Sequence, residues 1–215
     1  MSSRPAVPRP REVDPLIETL PAGTALVRVF PAARGPLSFN PTAAAGRFRP
    51  VRRHDRTVVP TAYFGADEEI ALAEGVLRGV TALERDARPR RLYGIEVSGL
   101  AICAVRLTRT TRVVRMHGAG LTRLHLLRRH VIDCEASDYP YTAAWAQALW
   151  GCRRRPAGIC WTSHQSDSAR AYMLWQPRIT PGGVEIAGAE VALDREPGLD
   201  LVRQACVAAG VDFEG

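Results

Sequence analysis

The chain has 215 residues, enough for one domain with a real core, and its balance of 46% hydrophobic to 24% charged residues is that of an ordinary globular protein. The formal charge is +7, and because the sequence contains no lysine, all 29 basic residues are arginine, whose planar fork can bind two phosphate oxygens at once. No apolar run is long enough to span a membrane and no signal-peptide core opens the chain, while five cysteines, at 103, 134, 152, 160 and 206, are odd in number, widely spaced and without a C-x-x-C pair, which excludes a disulfide framework or zinc ribbon and points to reduced thiols in a cytoplasmic protein.

Residues 1–20 begin with a Pro- and Arg-rich tail and read as a disordered or loosely packed leader, with a single domain over 21–215. Residues 24–30, TALVRVF, form a strand candidate with period-two faces. Leu26, Arg28 and Phe30 share one face; Ala25, Val27 and Val29 share the other. Residues 31–57 are irregular and contain GRFRPVRRHDR, either an exposed loop with solvated charges or a phosphate-binding lip. With no aromatic interleaving beyond Phe48, sequence-specific nucleic-acid reading ranks low.

Residues 60–79, PTAYFGADEEIALAEGVLRG, read as strand, turn and helix. Gly65 breaks the strand, Asp67 suits the helix N-cap, Glu68 and Glu69 suit its positive end, and Gly79 is a stop signal. At helical spacing Ile70, Ala73, Glu74 and Leu77 share one face, which puts Glu74 in a stripe that should be buried. A carboxylate there must be paired, hydrogen-bonded or turned into a polar cavity, unless it reaches solvent at the stripe's edge. Arg28 and Glu74 are thus candidate partners, or two charges lining one cavity; a buried ion pair alone says little about function.

Residues 92–98 and 101–107 read as two strands joined around Gly99, and 112–116 as a third. Residues 121–130, LTRLHLLRRH, have helical spacing. His125, His130 and Cys134 lie near one another in sequence, but no further ligand has suitable spacing, so no metal is expected. Residues 141–150, YTAAWAQALW, form a helix, with Thr142 as a cap and Gly151 as a stop. The apolar strand 157–162, AGICWT, runs into Ser163, His164, Gln165 and Ser166. A buried strand ending in small hydroxyl residues is a common place for a site, although serine is equally at home in a turn. Strand candidates at Arg170–Trp175 and 184–191 and a helix at Gly198–Ala209 complete the chain.

In combination these landmarks resemble the RES-domain family of bacterial toxins, over roughly residues 21–175. The matching residues run in the family's order: Arg28 in LVRVF, Gly46-Arg47-Phe48, Tyr63 in AYF, Glu74 in ALAE and Ser163 in GICWTS. Where the family often has Trp after the Arg of the GR pair, this chain has Phe48, and where it often has Tyr two residues before the Ser, this chain has Trp161. The resemblance implies an α+β domain built on a split, mixed β-sheet similar to that of the ADP-ribosyltransferases. It also implies NAD as substrate, cleaved between nicotinamide and ribose by hydrolysis, phosphorolysis or ADP-ribosyl transfer. A helix-turn-helix antitoxin protein is the partner it implies. Arg28 and Arg47 would hold the pyrophosphate, Glu74 would oppose the positive charge developing on the ribose, and Tyr63 and Ser163 would receive the nicotinamide or its ribose. Two other readings remain open: a basic nucleic-acid-binding or partner-binding module without NAD turnover, supported by the arginine clusters at 47–56 and 153–155, and an inactive family member.

Overall fold

The computed structural model describes residues 4–81, 90–163 and 169–215. The chain begins with β1 (Ile17–Leu20), β2 (Ala25–Pro31) and β3 (Thr61–Gly65). Helix α1 (Glu68–Leu72) continues through a π-helical turn (Ala73–Leu77) into α2 (Arg78–Thr81). Next come β4 (Arg91–Tyr93), α3 (Gly94–Val97), β5 (Leu100–Leu107) and β6 (Thr111–Arg115). Helices α4 (Ala119–Arg123), α5 (Arg128–Val131) and α6 (Tyr139–Trp150) lead to β7 (Gly158–Thr162) and β8 (Arg170–Trp175). The chain closes with α7 (Gln176–Ile179), β9 (Val184–Ile186), β10 (Val191–Ala192), α8 (Gly198–Ala209) and β11 (Asp212–Glu214).

The main sheet runs β1-β6-β7-β8-β3-β2-β5-β10, with β9 also on β5; β4 and β11 form a separate parallel pair. Within the main sheet only β6 and β7 run parallel, so it is mixed. It is also split, as expected of this α+β domain. Strand β2 pairs with β5 from Ala25 opposite Arg106 to Pro31 opposite Leu100, but meets β3 at one position, Val27 opposite Gly65. Alternation along the strands separates two cores. On one face Val114, Ile159, Trp161, Met173 and Trp175 pack with Trp145 and Leu149 of α6, while Val27 and Val29 meet Ala71, Leu72 and Leu77. On the other face lie Leu26, Phe64, Val105, Cys160, Tyr172 and Leu174.

Several elements depart from the sequence reading. Within the expected leader, Ile17–Leu20 forms the edge strand β1, with Ile17 opposite Val114. Val13 is buried, the Tyr141 hydroxyl donates to the Pro5 carbonyl, and Arg4 pairs with Asp138. A proline-rich composition hid these tertiary anchors. The helix does not stop at Gly79 but passes through it to Thr81. Of the expected strand 92–98 only Leu92 and Tyr93, the end of β4, are extended; residues from Gly94 turn into α3, with the Glu96 carboxylate accepting the Tyr93 N–H. Residues 121–130 do not form one helix: the chain breaks between α4 and α5, where His125 adopts φ +56°. The expected strand 184–191 is two short ones, β9 and β10, on the same neighbour β5.

Gly65 positions the helix that follows β3. A Cβ built there would lie 2.4 Å from the Ala71 nitrogen and 2.7 Å from the Asp67 carbonyl oxygen, both backbone atoms. Gly65→Ala is therefore expected to push the first turn of α1 off the sheet and lower stability by about 1–3 kcal/mol, the usual cost of overpacking, measured by urea denaturation.

Candidate functional site

Glu74 lies in the π-helical turn, and its placement begins at the N-cap. The Asp67 carboxylate accepts the Ile70 N–H at 2.9 Å, fixing where the helix starts, and Ile70, Ala73 and Leu77 bury the stripe that carries Glu74 inward. π-Helical turns re-aim side chains relative to a regular helix and are frequent at functional sites. The Glu74 side chain is 8% exposed and is held from several sides. Trp161 Nε1–H and Ser163 Oγ–H each donate to Oε1 at 3.2 Å. Arg47 Nη1 donates to Oε2 at 3.2 Å, and Arg78 Nη1 stands 3.9 Å from the same oxygen. One oxygen thus takes neutral donors and the other faces cations.

Arg47 reaches this position through a constrained loop. Its neighbour Phe48 is fully buried at φ +65°, a conformation that side-chain-bearing residues rarely adopt. Three contacts hold it there. The Phe48 N–H donates to Thr142 Oγ1 at 3.2 Å, its ring packs 5.4 Å from that of Trp161, and the Tyr63 hydroxyl donates to the Arg47 carbonyl. Thr142 is thus not the cap of α6 but the acceptor that anchors the loop, while its own hydroxyl donates to the Tyr139 carbonyl at 3.1 Å. Burial pushes the Tyr63 phenol up to about 12, so it remains a neutral donor near neutral pH.

The site is rich in guanidinium groups. Arg78 lies over the Tyr139 ring at 5.1 Å, and burial, followed by the charge of Arg47, lowers its pKa. Among the described residues, Arg47 Nε, Arg49 Nη1 and Arg78 Nη2 are buried without a hydrogen-bond partner. The Cys134 thiol borders Arg47 and Arg78; burial raises its pKa and the two arginines oppose that rise. Farther along the loop the arginines are engaged locally. Arg52 donates to the Arg56 carbonyl and Arg53 to the Thr57 hydroxyl, while Arg154 of the 153–155 run pairs with Asp14.

Ser163 is 1% exposed at the end of β7, whose five residues are all buried. Its carbonyl accepts Arg128 Nη2 at 2.9 Å, and Arg128 is itself paired with Asp133. His164, Gln165 and Ser166 lie outside the described residues. Glu74, Arg47, Tyr63 and Ser163 are thus brought together.

Arg28 is not among them, and the expected pair with Glu74 does not form. Arg28 is 5% exposed, stacks against Phe30 and Phe64 at 5.7 and 5.6 Å, and donates to the Pro36 carbonyl at 2.6 Å. Burial alone lowers its pKa to about 10. Phe64 belongs to the face opposite Tyr63, so Arg28 and Glu74 lie on opposite sides of the sheet. Period two correctly separated Arg28 from Val27 and Val29, but it did not say which side α1 would cover.

The expected absence of a metal site rested on His125, His130 and Cys134. Among the described residues one other group has suitable donors: Glu18, His117 and Cys160, with their ligand atoms within 4.8 Å of one another. Within it His117 Nε2 lies 2.9 Å from Glu18 Oε2 and 3.1 Å from Arg170 Nε, and Arg115 adds a second positive charge nearby.

Trp161, Arg78 and Thr142 were missed as site residues. The first two had a readable signal: Trp161 precedes Ser163 by two on a strand and so shares its face, and Arg78 follows Glu74 by four on a helix. Thr142 had none, since its partner Phe48 is remote in sequence.

A family model, the RES domain, matches residues 25–198. No curated protein and no solved structure matches the chain. Among the described residues no helix is long and apolar enough to cross a membrane.

Replacing Thr142 by Val preserves its shape but leaves the buried Phe48 N–H without an acceptor. The expected cost is about 1–3 kcal/mol in urea denaturation, with faster hydrogen exchange at Phe48 as the local signature.

Proposed function

Because the chain belongs to the RES domain family, we propose that the Glu74 site cleaves the bond between nicotinamide and ribose in NAD⁺. The observation that carries this reading is the buried Glu74 carboxylate, fixed between Arg47 on one oxygen and Trp161 and Ser163 on the other. Breaking the bond expels neutral nicotinamide with the bonding pair and leaves positive charge on the ribose, as in glycoside cleavage. A carboxylate that needs no reorganisation can oppose that charge as it develops. With water as acceptor, the products are nicotinamide, ADP-ribose and a proton; phosphate or a protein side chain can take water's place.

Each neighbour then has a task. Ser163 and Trp161 hold one oxygen of Glu74, so their first role is to orient the carboxylate. Arg47 pairs with Glu74 Oε2 and extends its guanidinium toward a bound pyrophosphate. Tyr63 fixes the Arg47 backbone and lends its ring edge to Trp161, 6.3 Å away between centroids. Arg28 is left out of the NAD⁺ site; its contacts are with the opposite core and with the loop at Pro36. As a toxin-type enzyme the protein is proposed to be held in check by a helix-turn-helix antitoxin.

Two results test this assignment. Glu74→Gln is expected to lose about 10²–10³ in nicotinamide release, the usual effect of removing one fixed transition-state stabiliser. Thermal melting checks that the variant is folded, and Glu74→Asp, which keeps the charge, serves where it is not. Wild-type turnover in folded Glu74→Gln would contradict the assignment. Arg28→Met is expected to change thermal stability while leaving the calorimetric affinity for NAD⁺ within about twofold, since a change of 1.4 kcal/mol would be tenfold. A large loss of affinity would return Arg28 to the site.

A further inference from the structure

The Ser163 hydroxyl reaches Glu74 Oε1 from a residue whose main chain is held on both sides. Its N–H donates to the Ala169 carbonyl at 3.3 Å, where the chain enters β8, and its carbonyl accepts Arg128 Nη2 at 2.9 Å. Arg128 is the first residue of α5, and its Nε donates to both oxygens of the Asp133 carboxylate, at 3.0 and 2.9 Å. The backbone closes the same unit, since the Arg128 carbonyl accepts the N–H groups of Ile132 and Asp133 at 2.8 and 3.2 Å. Val131 and Ile132 are buried and seat this segment in the core, whereas the side chains of Arg128 and Asp133 are 31% and 23% exposed. An ion pair with that much access to water contributes little to stability. The bond from Arg128 to Ser163 therefore calls for a role other than holding α5 in place.

We infer that Arg128, braced by Asp133, is a positioning residue that sets the Ser163 hydroxyl on Glu74. The inference rests on the reading of Glu74 as the centre of the cleavage site and extends the support of that carboxylate out to α5. Fixing the peptide groups on both sides of the Ser163 Cα fixes the direction of its Cβ, which leaves the hydroxyl only a choice among staggered rotamers. One of those rotamers places Oγ 3.2 Å from Glu74 Oε1. A guanidinium suits this task because its planar fork addresses the carboxylate through Nε and the carbonyl through Nη2 at the same time, whereas an ammonium is a single point of charge. Arg128 engages Ser163 through the main chain, so its effect on the reaction passes through the hydroxyl and falls on kcat, with KM for NAD⁺ little changed.

Nicotinamide release by the full chain tests this through a double-mutant cycle of Arg128→Met and Ser163→Ala. Each variant alone is expected to lower kcat about three- to tenfold, the scale of one hydrogen bond, with KM within about twofold of wild type. Together they are expected to cost little more than Ser163→Ala alone, because the bond that Arg128 aims is already gone. Arg128→Lys is expected to recover part of the loss. Losses that multiply in the double variant, an undiminished kcat in folded Arg128→Met, or a Ser163→Ala enzyme as active as wild type would each overturn the inference. Where thermal melting shows that Arg128→Met does not fold, Asp133→Asn takes its place in the same cycle, since it keeps Arg128 and removes the charge that braces it. A crystal structure of the variant reads the positioning without turnover. Ser163 Oγ is expected to leave hydrogen-bonding distance of Glu74 Oε1, and an unmoved hydroxyl would also overturn the inference. Failure of the NAD⁺ reading is a separate result: it would appear as a wild-type protein that releases no nicotinamide, and that crystal structure would then decide the positioning on its own.

Discussion

A carboxylate buried inside a protein is tolerated only when its charge is answered, and much of this site is built around answering Glu74. Removing the partner of a buried ion pair costs about 3–5 kcal/mol, far more than an exposed pair contributes. That asymmetry ties remote parts of the chain to one atom group. The loop before β3 must deliver Arg47, β7 must deliver Trp161 and Ser163, and the helix after β3 must present Glu74 between them. Displacing any of these leaves a buried charge or dipole exposed to an apolar core.

The split in the sheet makes room for this arrangement. Where β2 and β3 share a single registered pair, the helix from Glu68 rises over Val27 and Val29 and carries Glu74 along the same face as Trp161. Gly65 allows the backbone to fold back tightly at the end of β3, and Thr142 of α6 secures the loop at Phe48. The positive φ of Phe48 is a local cost that the surrounding contacts hold in place. It lies next to Arg47, where a relaxed loop would withdraw the guanidinium from the carboxylate.

Much of this was legible in the sequence, and the limits follow from what each signal measures. Helical spacing put Glu74 on the buried stripe because Ile70, Ala73 and Leu77 fix that face locally. The alternation in β2 separated Arg28 from Val27 and Val29, but the side on which α1 lands is a tertiary choice, and it went against Arg28. The same limit applies to the leader, where Ile17–Leu20 becomes a strand because β6 offers an edge, not because its composition demands one. Glu74's bond to Trp161 depends on the parity of β7 and on a helix far away in sequence. The break at His125 and the turn into α3 are local, but each depends on a backbone conformation or hydrogen bond that apolar periodicity does not register.

The most direct test of the account is a crystal structure of the Glu74→Gln protein with NAD⁺ bound. The account predicts the nicotinamide ribose against residue 74, with Trp161 and Ser163 still directed at that side chain and the diphosphate reached by Arg47. A dinucleotide seated on the Arg28 face of the sheet, or a site left empty at saturating NAD⁺, would contradict it.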